Sequence, residues 1–305
     1  MCAFPHLARI FKHGKTLPRA QISAIIAEIR TRNHMASNLP TYLLELQSRG
    51  QVLFASEEAE QALQLGHGAF LDAAERLQKQ NQLIRLRRNL YAIVPPQFRS
   101  WGAPPPSWYI DALMRHEAST YYVGLLKAAE LHGATHQAVL EYQVVAQKRI
   151  RKRTVGRSKV NFFYRRDIEA VSSGIISHKS ETGPIYLSSV ELTALDLLRY
   201  PHASAGLDNV ATVLADLGTK INEQALARLS PAFKTPVVQR LGHLLDQLGF
   251  DKSTRLMHRK LTTDELPPWT ELEPESVADR ELIPPTIERD RRWNVVVRRR
   301  PEVDE

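Results

Sequence analysis

Apolar positions recur at helical spacing along most of the chain and change to strand-like alternation at a few places. In residues 21–30 (QISAIIAEIR), Ile22, Ile25, Ile26 and Ile29 form one stripe of an amphipathic helix. Residues 33–40 read as a break, residues 41–48 as a short helix stopping at Gly50, and Val52-Leu53-Phe54 as a short strand. Ser56 stands where an N-cap belongs, with Glu57, Glu58 and Glu60 at the positive end of the helix dipole that follows. Leu65-Gly66-His67-Gly68 breaks that helix, and a second one runs to about Gln80 with Ala69, Phe70, Ala73, Ala74 and Leu77 on its buried side. Residues 83–94 then have strand character: Ile84 and Leu86 alternate with Arg85 and Arg87, Arg88-Asn89 turns, and Leu90-Tyr91-Ala92-Ile93-Val94 returns.

Helix, turn, helix and basic hairpin in that order predict a winged helix-turn-helix over residues 51–95, preceded by a helical extension over residues 1–50. The hairpin tip places Arg85, Arg87, Arg88 and Asn89 where a wing meets phosphates. On the second helix, Arg76 and Lys79 are the expected DNA contacts, with His67 at its start. Asp72 stays undecided, because Asp72/Arg76 and Glu75/Lys79 are also the acid-before-base pairs of a solvated helix. A helical hairpin packed on a solvated ribbon is the competing reading. The isoleucine stripe of the extension fits packing on this domain or on a second copy of it, the latter giving a homodimer on DNA.

Pro95-Pro96 and Pro104-Pro105-Pro106 mark a boundary, and residues 104–255 predict an α/β domain. Its helices are expected at residues 108–114, 121–131, 190–199, 209–217, 223–229 and 237–248, and its strands at 140–146 and 159–164. The fold class is thus α+β: an N-terminal winged helix-turn-helix followed by a mixed α/β domain. Between residues 148 and 166 lie Lys148, Arg149, Arg151, Lys152, Arg153, Arg157, Lys159, Arg165 and Arg166 with no acid among them, and Gly156 is placed to turn a hairpin. Either this is a solvated loop or, since the run overlaps predicted strands, a shaped polyanion-binding surface. Residues 256–305 form a charged tail. In it an acidic, proline-interleaved segment precedes Trp293-Asn294-Val295-Val296-Val297, which reads as a strand docking on the sheet or as part of a disordered basic tail.

The net charge of +8 over 305 residues favours a phosphate-rich partner. Cys2 is the only cysteine, which excludes an intramolecular disulfide and a thiolate metal cluster. No apolar run approaches the roughly 20 residues of a membrane span, so the expectation is a cytoplasmic protein with no membrane partner. Catalytic signatures are missing. His116-Glu117 opens a zincin-like motif, but Thr120 stands where the second histidine belongs, and His132 and His136 have Gly133 between them. There is no phosphate-binding GxxxxGK[ST] loop and no GxSxG elbow, and neither Glu141-Tyr142-Gln143 nor Glu181-Thr182-Gly183 supplies the acid-x-Lys strand of a metal-dependent nuclease. No enzyme activity, metal or cofactor is expected.

Tyr121-Tyr122-Val123-Gly124-Leu125-Leu126-Lys127-Ala128-Ala129-Glu130-Leu131-His132-Gly133 resembles the Tyr-Tyr-x-x-Leu…Ala…Leu-His-Gly signature of the AbiEi-type antitoxins of type IV toxin–antitoxin systems. Ser188-Ser189-Val190-Glu191-Leu192-Thr193-Ala194-Leu195-Asp196-Leu197-Leu198 resembles that family's Pro-Glu…Ala-x-Asp-Leu helix, with Ser189-Val190 where a proline is usual. The likeness covers about residues 50–250. It implies a winged domain that represses its own promoter at inverted repeats. It further implies a second domain that counters a nucleotidyltransferase-like toxin without a stable complex. A stand-alone transcriptional regulator, and a nucleic-acid-processing enzyme targeted by its winged domain, are the other readings.

Overall fold

The computed structural model describes residues 38–135, 139–263, 265–274 and 283–303. The isoleucine stripe of residues 21–30 and His136 lie outside them. The chain divides into two units, Met1–Ile93 and Val94–Glu305.

In the first unit, α1 (Leu39–Ser48) starts where the Asn38 side chain accepts a hydrogen bond from the Thr41 N–H at 3.1 Å, and ends at Gly50 with φ +73°. Its buried Leu39, Leu43 and Leu46 follow the helical period. Strand β1 (Leu53–Ala55) leads into α2 (Ser56–Leu63), Gln64 turns left-handed, and α3 (His67–Lys79) follows with Phe70, Ala74 and Leu77 buried. Ser56 is the first residue of α2 rather than its cap; instead the Glu58 side chain accepts from the Ala55 N–H. Strands β2 (Leu83–Arg87) and β3 (Leu90–Ile93) complete a sheet of order β1-β3-β2. Phe54 stacks on Tyr91 at 5.8 Å and Phe70 meets Tyr91 edge-on at 5.4 Å, an aromatic cluster that joins sheet to α3. Strict alternation in β2 fails. A bulge between Arg85 and Arg87 turns Leu86 inward with Leu83, while Ile84 is only half-buried.

The second unit holds a six-stranded mixed sheet. After a short turn (Pro96–Trp101) and α4 (Pro106–His116) come β4 (Tyr121–Val123), α5 (Leu125–Leu131), β5 (Glu141–Ala146), β6 (Arg153–Val155), β7 (Ser158–Tyr164), β8 (Ile175–Ser180) and β9 (Gly183–Ser188). The sheet order is β6-β7-β5-β4-β9-β8, with β5 parallel to β7 from Glu141↔Lys159 to Ala146↔Tyr164. Residues 121–131 are therefore not one helix. The aromatic and β-branched Tyr121-Tyr122-Val123 fill a strand position between β5 and β9, and Gly124, in extended conformation, starts α5.

Helices α6 (Val190–Arg199), α7 (Gly206–Gly218), α8 (Glu223–Leu229), α9 (Thr235–Gln247) and α10 (Asp251–Leu261) pack with the sheet around one core. Every residue of α6 from Glu191 to Leu198 is buried, as befits a helix enclosed on all sides. The terminal strand does form, but not on the six-stranded sheet. Strands β10 (Thr270–Glu271), β11 (Glu288–Asp290) and β12 (Val295–Val297) make their own sheet of order β10-β12-β11. Trp293, 0% exposed, lies against Gly242 of α9, and its indole N–H donates to Asp246 at 2.7 Å.

Candidate nucleic-acid interface

The sequence-predicted contacts of the first unit fall on α3 and the β2–β3 hairpin. Asp72, Glu75, Arg76 and Lys79 are all exposed on α3. Lys79 pairs with Glu75 at 2.8 Å and, by that hydrogen bond, pulls the Glu75 carboxyl below its ordinary pKa. Arg76 Nε donates to the Asp72 carbonyl at 3.3 Å, which leaves the rest of its guanidinium at the surface. His67 is tied back to α2, its Nδ1 2.7 Å from a Glu60 carboxylate oxygen.

Arg85 and Arg88 are exposed and Arg87 is half-buried. The Arg85 guanidinium lies 6.0 Å from the Tyr91 ring centroid and donates to the Arg87 carbonyl, so the hairpin itself holds it in place. Asn89 takes φ +63° at the turn. It serves as an anchor: its amide donates to Glu57 at 2.6 Å and its carbonyl accepts from the Ser56 N–H at 2.9 Å. Glu57 and the Ser56 N–H at the start of α2 thus hold the hairpin turn, a role that the reading of Glu57 as a dipole partner did not foresee.

In the second unit Gly156 does turn a hairpin, between β6 and β7 at one edge of the sheet. Lys148, Arg149, Arg151, Lys152, Arg157, Lys159 and Arg166 are exposed and Arg153 is half-buried. Lys148 Nζ donates to the Glu117 carbonyl at 2.7 Å, and Arg149 lies 4.3 Å over the Tyr164 ring. The turn is seated on the segment before α4. Arg157 N–H donates to the Trp101 carbonyl at 2.9 Å, and a Cβ on Gly156 (φ +59°) would run into that carbonyl and the Ala103 nitrogen.

Arg165 is not on this surface. It is 1% exposed and reaches inward to Asp196, 0% exposed, at 3.1 Å; it also donates to the Ala232 carbonyl at 3.1 Å and lies 4.4 Å over Phe233. The Tyr122 hydroxyl donates to the other Asp196 oxygen at 2.5 Å. Burial pushes the Asp196 carboxyl up to about 6, with Arg165 and Tyr122 pulling it back. Helix α6 has no polar side from Glu191 to Leu198, and the Asp196 carboxylate meets its counter-charge inside the core. Tyr122 and Asp196 come from the two sequence stretches that carry the family likeness. His132, from the first stretch, bonds the Ser188 carbonyl of the second at 2.7 Å. At the departure from the usual proline, the Ser189 hydroxyl caps α6, accepting from the Leu192 N–H. Among the described residues no group of three or more His, Cys, Asp or Glu side chains could hold a metal ion, and no helix is long and apolar enough to cross a membrane.

This α+β arrangement has a solved counterpart. The crystal structure of RV2827C protein from Mycobacterium tuberculosis superposes with a TM-score of 0.61 over 86% of this chain and 91% of that one, at 15% identity, a likeness of fold alone. Residues 122–247 match the family model of the AbiEi antitoxin C-terminal domain, which makes this part of the chain an antitoxin-type domain of a toxin–antitoxin system. No curated protein matches the sequence significantly.

Proposed function

We propose that the protein is the antitoxin and autorepressor of a type IV toxin–antitoxin system. The observation that carries the proposal is a helix–turn–helix with a basic hairpin, joined in one chain to a domain of AbiEi-antitoxin type. In this reading residues 51–95 are a winged helix-turn-helix. Helix α3 enters the major groove with Arg76 and Lys79, and His67 stands at its N-terminal end. Arg85, Arg87 and Arg88 set the wing on phosphates, and Asn89 holds the tip in shape. Two copies of the chain on inverted repeats give the operator its symmetry. The domain over residues 104–255 carries the antitoxin activity against a nucleotidyltransferase-like toxin without a stable complex, and its exposed ribbon cations hold a polyanion.

The test is binding of the purified protein to its own upstream DNA, followed by fluorescence anisotropy, with a scrambled duplex at near-physiological salt as control. A preference of roughly a thousandfold for the native site is expected. Equal binding to both duplexes would remove the autorepressor. Co-expression with a nucleotidyltransferase-like reading frame found beside its gene tests the other half: growth is restored by the full chain, and a failure to restore it, or the absence of such a reading frame, overturns the type IV assignment.

A further inference from the structure

Trp101 is 56% exposed, and its main chain is bonded to the turn of the basic hairpin. An exposed indole offers a flat face on which another planar group can stack. Here its place is fixed by backbone. The Trp101 carbonyl accepts from Arg157, Gly156 leaves no room for a side chain against residues 101–103, and Gly102 closes the turn at φ +74°. The Trp101 backbone is thereby held against that of Arg157, and Arg99 stands two residues before it in the chain; both arginines are exposed. At the other end of β7 the Arg149 guanidinium carbon lies 4.3 Å from the Tyr164 ring centroid and offers a second planar group. The seven residues of β7 separate these two surfaces by about 20 Å. Between them Arg151, Lys152 and Lys159 are exposed, and among the described residues no carboxylate pairs with Arg151, Lys152, Arg157 or Lys159.

We propose that this edge of the sheet binds an unpaired nucleic-acid strand, with a base stacked on Trp101 and its phosphates held by Arg151, Lys152, Arg157 and Lys159. The inference rests on the polyanion-binding reading of the ribbon and adds the class of polyanion. Duplex phosphates need only the cations. A flat ring set among them gains from a base only when that base is free to unstack from its neighbours. DNA and RNA strands share this chemistry.

The experiment uses the full chain with fluorescein-labelled oligo-dT and oligo-U of about 12 nucleotides, a length within the usual range of single-strand sites. A mixed-sequence duplex of the same length is the control. Trp101→Ala is expected to weaken binding to at least one single strand about tenfold, within the range of one lost base stack, while Trp101→Phe retains most of it and duplex affinity is unchanged. Arg151→Ala/Lys152→Ala/Arg157→Ala is expected to weaken single-strand binding and flatten its salt dependence. Which of oligo-dT and oligo-U responds to Trp101 separates DNA from RNA. If the triple variant binds as before, the polyanion reading of the ribbon falls, and the inference with it. If the triple variant is weakened but Trp101→Ala is not, or if Trp101→Ala weakens single strand and duplex alike, the ribbon remains a polyanion site and the stacking assignment is overturned. Equal thermal midpoints for Trp101→Ala and the unaltered chain confirm that the fold is intact.

Discussion

Arg165 shows how far one residue's role depends on where the backbone puts it. In the sequence it is one of nine cations in an acid-free run; in the fold it is the only one of them that is buried, because its guanidinium meets the Asp196 carboxylate. Nothing local marks the difference, since the partner is supplied by α6, 31 positions later. Removing the cation alone leaves a carboxyl in the core without its counter-charge. Arg165→Met is therefore expected to cost about 3–5 kcal/mol at about pH 7.5, read from chemical denaturation. In that variant the folded-state pKa of Asp196 rises further above its unfolded value of about 3.9, so the carboxylate costs stability at high pH and the loss is recovered as pH falls. A penalty equally large at about pH 5 would show that packing, and not charge, is what Arg165 supplies.

At the scale of elements, legibility followed local contrast. Helices α2, α3, α6 and α8 and strands β5 and β7 were readable because breaks and apolar periodicity coincide in them. Strands β4, β8 and β9 and helix α10 were not. Tyr121-Tyr122-Val123 continues without a break into a helical stretch, and α10 (DKSTRLMHRKL) buries only Thr254 and Met257, too few positions to show a period. The hairpin of β2 and β3 was legible except for its bulge, which needs the partner strand to be seen. Its function is tested at the same scale. Changing Arg85, Arg87 and Arg88 together to Ala is expected to weaken DNA binding across sequences and to flatten the salt slope by up to about one unit per lost phosphate contact. An unchanged slope would take the hairpin out of the interface. For the second candidate surface, the charge was readable but Trp101 was not, since an aromatic residue between prolines has the same sequence signature buried or exposed.

For the molecule as a whole, the division at Ile93/Val94 puts the two proposed nucleic-acid surfaces in different units. A fragment of residues 94–305 retains the entire core built around α6 and the ribbon cations but none of α3 or the hairpin. We expect it to lose promoter preference and to keep salt-sensitive binding to nucleic acid. A fragment indifferent to polyanions at low salt would confine nucleic-acid recognition to the first unit.

The Arg165–Asp196–Tyr122 network also bears on descent. Its members come from β4, from the chain just after β7, and from α6, so no single local change can replace it. Loss of either charge strands the other, whereas exchanging the pair together for apolar residues of similar volume is often neutral or even stabilising. The path between those two end states runs through a poorly folded intermediate. Lineages should therefore keep or discard the arginine and the aspartate as a unit, and a sequence with only one of them should carry a compensating change nearby in space.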